Sequence, residues 1–169
     1  SECHVDDYIK NAFKESGAQE LSFRPICASE EHGAIIHYGH PQSTKILASG
    51  SLFLLDTGAY YQGGYATDLT RTFLAGKKSS TAQPWQKQMF TLVLKASIKG
   101  LSARLRRGSI GMQLDAMVRA PLWQAGLDFA HGTGHGVGIN VHEFPPRIGP
   151  TSTTELLEGQ VFSIEPGLY

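Results

Sequence analysis

Apolar positions set the first expectations. Val5, Tyr8, Ile9, Ala12 and Phe13 recur at helical spacing and Gly17 ends the pattern, which predicts a first helix entered mid-length. Between residues 20 and 28, Leu21, Phe23, Pro25 and Cys27 alternate with polar or small neighbours, the period of a strand. A turn around Glu30 to Gly33 leads to Ile35-Ile36-His37-Tyr38, a short strand carrying one histidine, and His40-Pro41 opens a loop. Leu52 to Leu55 is an apolar run short enough for a buried strand that ends at Asp56. Lys77 to Pro84 is a polar connector. Residues 81–106 read as a long amphipathic helix, with Trp85, Met89, Leu92, Val93, Ala96 and Gly100 on one side. Pro84 suits its first turn, and Gly108 follows a basic last turn of Arg104, Arg106 and Arg107, where cations favour the helix dipole. That cluster reads as helix termination, not as a binding patch. A second helix spans about 111–125, with Pro121 expected to kink or divide it. Residues 143–158, rich in Pro, Ser and Thr, read as a loop, and Gln160 to Tyr169 as a strand that delivers Glu165.

One stretch fits neither period cleanly: His131-Gly-Thr-Gly-His135-Gly-Val-Gly-Ile-Asn-Val-His142-Glu143. His131 and His135 are four apart, as in a helical zinc pair, but each intervening or adjacent glycine costs about 1 kcal/mol of helix propensity. The HExxH pattern is absent. The stretch therefore reads as a loop turning into a strand, with Val137, Ile139 and Val141 alternating along it and glycines that let the backbone approach a ligand. A glycine-rich connector with solvated histidines is the alternative.

A second stretch, Asp56 to Asp68, holds Gly63-Gly64 near its middle, which marks a hairpin tip. Closure there brings Asp56 and Asp68 onto paired strands. Like charges facing across strands repel, and a cation between them removes that cost. Two surface aspartates at loop ends are the alternative, but Asp56 follows four apolar residues and so is partly buried. A buried carboxylate needs a partner.

Composition narrows the classes. The 169 residues suffice for one domain with its own core. Lys plus Arg balances Asp plus Glu, 15 against 15, so no basic excess draws the chain to nucleic acid or an anionic membrane. No apolar run nears 18 residues. Cys3 and Cys27 show no metal spacing and read as reduced cytosolic thiols. The first residues resemble neither a signal peptide nor a natural start, so the chain is expected to begin inside a larger protein. There is no Walker loop, no GxSxG, and the glycine run fails GxGxxG because its last position is Ile139. What the chain offers is two aspartates on a hairpin, one histidine at a strand entry and one glutamate at a strand end. One imidazole with several carboxylates suits Mn²⁺, Co²⁺, Fe²⁺ or Zn²⁺. Two metals sharing carboxylates can activate a bridging water. His37 and His142 are then free to hydrogen-bond a developing oxyanion or a leaving group.

The motifs Asp56…Asp68-Leu-Thr-Arg-Thr, His131-Gly-Thr-Gly-His135-Gly-Val-Gly, Val141-His142-Glu143 and Ser163-Ile-Glu165-Pro-Gly-Leu-Tyr169 resemble those of the pita-bread metallopeptidases, most of all the Xaa-Pro aminopeptidase (aminopeptidase P) branch. Nearly the whole chain matches in order. The resemblance implies an α+β pita-bread fold, truncated at both ends, with residues 1–169 forming part of the catalytic domain and the N-terminal domain, the start of the first helix and the C-terminal strands missing. It implies metal-dependent hydrolysis of the N-terminal peptide bond before proline by a metal-activated bridging water. Asp56, Asp68, His135 and Glu165 would be metal ligands, with Glu165 also relaying a proton. His142 would stabilise the tetrahedral intermediate and His37 would contact substrate near the scissile bond. His131 and Tyr169 would form the pocket for the residue after the cut. Two divalent ions, with Mn²⁺ foremost, would be the cofactors. The implied partners are peptides with proline second, with neither nucleic acid nor membrane, in a cytoplasmic homo-oligomer. Prolidase, acting on dipeptides, and a non-catalytic pita-bread binding module are the alternatives. Two departures stand out. The Asp56–Asp68 interval is one residue longer than usual in the family, expected as a bulge at the hairpin tip. The family's second glutamate ligand, beyond the EPGxY motif, is missing, so this chain is expected to be metal-free or singly occupied and essentially inactive.

Overall fold

The first periodic pattern forms α1 (Glu2–Glu15), with the Ser1 side chain accepting from the His4 N–H. The chain leaves the helix through Gly17 at φ 85, a left-handed conformation that costs glycine nothing. The helix buries Glu2 and Asp6, while Tyr8 is 66% exposed. Hydrogen bonding explains the inversion. The Glu2 carboxylate accepts from the Ser29 N–H at 2.8 Å, the Gln42 N–H at 3.0 Å and the Tyr38 hydroxyl at 3.0 Å, and lies 2.8 Å from His32 Nδ1. The computed structural model describes every residue except Lys78, so that part of the expected 77–84 connector lies outside the described residues.

The strand expected over 20–28 is two strands serving two sheets. β1 (Glu20–Leu21) pairs antiparallel with β4 (Ala59–Tyr60), whereas β2 (Ile26–Ser29) pairs with β3 (Leu52–Thr57). Pro25 lies at the break, where its missing N–H interrupts no ladder. Glu30–Ala34 is a 3₁₀ turn, and the strand expected at 35–38 does not form. His37 there takes φ 59, and Ile35 and Ile36 are 52% and 40% exposed. β5 (Leu69–Leu74) completes the order β2-β3-β5. The hairpin closes as expected at Gly63 and Gly64, with φ 93 and 79. Its register is unchanged from Asp56↔Thr70 to the Tyr60↔Ala66 bridge, so the ladder carries no bulge and residues 61–65 absorb any extra length. Within these strands Cys27, Ala28, Phe53 and Ala59 are buried.

Those elements belong to one compact unit, residues 1–83 with 139–141 and Tyr169; residues 84–138 and 142–168 form another. In the second, α2 spans only Pro84–Leu101. Residues before a proline disfavour helix, which sets its start. At its far end Arg104, Arg106 and Arg107 lie beyond the helix, because the backbone at 109–111 is committed to hydrogen bonds with residues 152–156. α3 (Gly111–Trp123) continues through Pro121 and stops two residues later, two short of the expected end. Ala96, Leu114, Val118, Leu122, Phe129 and Ile148 form this unit's core, with Phe162 and Ile164 packed against it. No helix among the described residues is long and apolar enough to cross a membrane.

The histidine-rich stretch yields a short strand, β6 (Gly134–Gly136), followed by a turn in which Ile139 is 68% exposed and Val141 is buried. The expected alternation of Val137, Ile139 and Val141 along a strand is therefore not realised. β7 (Glu143–Ile148) arises where a loop was expected and pairs antiparallel with β6. Pro145 and Pro146 are tolerated because β7 is an edge strand. On the other side of β6, the strand expected over residues 160–169 does not form: among the described residues it reduces to the Gly136↔Phe162 bridge and backbone hydrogen bonds to β6 and Thr133.

Candidate active site

His135 sits at the centre of β6, and the segment beside it supplies two oxygen-bearing side chains. The Ser163 N–H donates to the His135 carbonyl at 2.8 Å, and the His135 N–H donates to Ser163 Oγ at 3.0 Å. One residue pair further, the Glu165 N–H donates to the Thr133 carbonyl at 2.8 Å. This register places Glu165 Oε1 at 3.2 Å from His135 Nε2, with the Ser163 hydroxyl donating to the same oxygen at 2.5 Å. Burial pushes the Glu165 carboxyl up, but hydrogen bonds from His135 and Ser163 outweigh it and hold the group below the ordinary glutamate range. His135 Nδ1 lies 2.9 Å from the Gly136 carbonyl, leaving Nε2 directed at the glutamate. The His142 ring centre is 4.3 Å from that of His135.

Glycine makes this closeness possible. A Cβ on Gly134 would fall 2.0 Å from the Ser163 carbonyl oxygen, and one on Gly136 would fall 2.8 Å from that of Glu143. Any larger residue would force the strands apart.

His131 stands upstream in the loop into β6, half-buried, its ring 4.8 Å from the Phe129 ring. The sequence reading missed what holds this loop. Asp115 and Arg119 of α3 are buried, and between them they bind Asp128, Phe129, His131 and Thr133. The signal was present: a charged i, i+4 pair interleaved with Leu114, Val118 and Leu122 on the buried side of a helix.

The remaining expected residues lie in the first unit. Asp56 is half-buried in β3 and accepts from the Thr70 hydroxyl at 2.9 Å. Thr70 is its cross-strand partner, and Asp68 is two positions from Thr70, so both carboxylates belong to one face of the hairpin. Asp68 is half-buried too. His37 is exposed in its left-handed turn, and Tyr169 is 54% exposed.

Comparison with known proteins gives this arrangement a family. The model of metallopeptidase family M24 matches residues 1–169. A protein of Aspergillus fumigatus named "Probable Xaa-Pro aminopeptidase P" is 43% identical over 155 residues, 88% of this chain and 23% of its own length. One of the same name from Sordaria macrospora is 39% identical over 171 residues, 98% of this chain and 27% of its own. Among solved structures, the X-prolyl aminopeptidase of Caenorhabditis elegans, described as a cytosolic enzyme with a di-nuclear active site, is 40% identical with a TM-score of 0.89 over 100% of this chain and 28% of its own. The prolidase of Pyrococcus furiosus is 34% identical with a TM-score of 0.88 over 99% of this chain and 48% of its own. The chain belongs to metallopeptidase family M24 and has the mixed α/β pita-bread fold of its members. It spans about a quarter of the length of the curated relatives it matches.

Proposed function

We propose that residues 1–169 form part of the catalytic domain of a larger Xaa-Pro aminopeptidase, which hydrolyses the N-terminal peptide bond before proline. The observation that carries this reading is the His135–Glu165 pair, held 3.2 Å apart on neighbouring hydrogen-bonded segments. The donor set fits a divalent metal centre. One imidazole with anionic carboxylates suits Mn²⁺, Co²⁺, Fe²⁺ or Zn²⁺, and Asp56 and Asp68 add two carboxylates on one hairpin face. In the full-length protein Asp56, Asp68, His135 and Glu165 would be among the ligands of two ions, Mn²⁺ foremost. A bound pair of divalent ions supplies Lewis acidity and a water of lowered pKa.

The chain's own residues do the rest. Ser163 and the Gly136 carbonyl orient the carboxylate and the imidazole, so little reorganisation is left to the reaction. Glu165 accepts the proton released from the attacking water and passes it to the leaving nitrogen. His142 donates to the oxyanion of the tetrahedral intermediate, and His37 contacts substrate beside the scissile bond. His131 and Tyr169 line the pocket for proline. Likeness to prolidases favours a second reading, an Xaa-Pro dipeptidase.

One experiment separates these. The full-length protein is assayed on a tripeptide with proline second, on its alanine counterpart and on a Xaa-Pro dipeptide, each with Mn²⁺ and with a chelator. Metal-dependent cleavage of the proline tripeptide over the alanine one is expected. Cleavage of the dipeptide alone selects prolidase, and no metal-dependent cleavage of either proline substrate overturns both readings.

A further inference from the structure

We propose that Arg119 is a positioning residue of this site, holding the His131 imidazole in place through the main chain and through Phe129. Arg119 is 3% exposed, and all three guanidinium nitrogens donate. Nε donates to both oxygens of Asp115 at 3.0 Å. Nη1 donates to Asp128 Oδ1 at 2.7 Å and to the Phe129 carbonyl at 2.6 Å. Nη2 donates to the His131 carbonyl at 2.7 Å. The guanidinium carbon lies 3.8 Å from the centre of the Phe129 ring, and that ring contacts His131. Two of the holds on His131, at its carbonyl and at its ring face, thus trace to one buried cation, while its Nδ1 lies 2.7 Å from the Gly132 carbonyl.

Neutralising the cation requires only the carboxylates of Asp115 and Asp128. The bonds to the Phe129 and His131 carbonyls add no charge compensation; they set the path of the loop. A planar five-donor fork can reach four acceptor groups and still stack on a ring, which the point charge of lysine cannot do. The same hub extends toward Glu165. The Thr133 hydroxyl donates to Asp115 Oδ1 at 2.5 Å, and the Thr133 carbonyl receives the Glu165 N–H. Thr133 is fully buried, so the link excludes water.

The inference rests on the proposed place of His131 in the proline pocket, and the test keeps the two apart. Arg119→Lys, His131→Ala and the double variant are made in the full-length protein. Steady-state kinetics on the proline tripeptide are combined with NMR of the His131 ring in the absence of substrate. Arg119→Lys is expected to raise KM about tenfold, the effect of one charge-assisted hydrogen bond, with kcat less affected. The His131 ring resonances should shift. In the His131→Ala background, Arg119→Lys should change KM by less than about twofold, because the coupled pair is already broken. An equal KM cost in both backgrounds, or unmoved His131 resonances, overturns the proposal. If Arg119→Lys does not fold, Phe129→Leu removes the ring contact, keeps the ion pairs and is judged by the same two readouts. If His131→Ala alone leaves KM unchanged, the pocket assignment fails, and the ring resonances decide the role of Arg119 by themselves.

Discussion

The carboxylate of Glu2 ties the stability of the first unit to pH. Burial pushes its carboxyl up, but hydrogen bonds from the Ser29 and Gln42 N–H groups, His32 and Tyr38 prevail and hold it below the ordinary value of 4.5. A depressed folded pKa adds stability above the unfolded value and loses it as pH falls through the folded one. Unfolding free energy measured in urea should therefore be steady near neutrality and decline below about pH 4.5. Glu2→Gln should be destabilising at pH 7 and show a shallower decline in acid; an identical acid limb in both proteins would remove Glu2 from the account. At the candidate active site, His142 is proposed as an oxyanion donor and not as a ligand. His142→Ala should lower kcat by about 10²–10³, the range for losing one such donor, with metal content unchanged by elemental analysis. Loss of stoichiometric metal would make it a ligand instead.

Among the elements, the contact of β6 with residues 161–165 is the one that presents Glu165, and its tolerance is narrow. Gly134→Ala would set a methyl 2.0 Å from the Ser163 carbonyl oxygen, a backbone atom that cannot rotate away. The segments must part, at about 1–3 kcal/mol for an overpacked position, and Glu165 moves with them. Gly149 is the control, since a Cβ there meets nothing nearer than 3.8 Å. Chemical denaturation should show Gly134→Ala destabilised within that range and Gly149→Ala within about 0.5 kcal/mol of the wild type. Equal stability of the two variants would mean the strands are not packed as described.

For the molecule as a whole, the proposed ligands span residues 56 to 165, so an ion bound by them stabilises the folded chain over the unfolded one. A ligand at a hundredfold excess over Kd adds about 2.7 kcal/mol. In the full-length protein, Mn²⁺ should raise Tm, a chelator should reverse the rise and abolish hydrolysis, and Asp68→Ala or His135→Ala should show neither effect. A rise in Tm of equal size in those variants would move the metal to other residues.

Much of this was legible from the chain alone. α1, β3, the hairpin at Gly63-Gly64 and the position of α3 follow from periodicity and glycine, which act over a few residues. The candidate ligands were proposed on side-chain identity, because metal chemistry depends on donor type. What the sequence left undecided depends on partners far away in the chain. Residues 20–28 divide because β1 and β2 pair with different strands. Residues 143–148 form a strand despite two prolines because β6 accepts them as an edge. Glu2 is buried on α1 because Ser29, Tyr38 and Gln42 close around it. Arg119 reaches the His131 loop only when α3 is packed against it. Local propensity selects helix, strand or turn, but desolvation and the need to pair each buried polar group are settled only when distant segments meet.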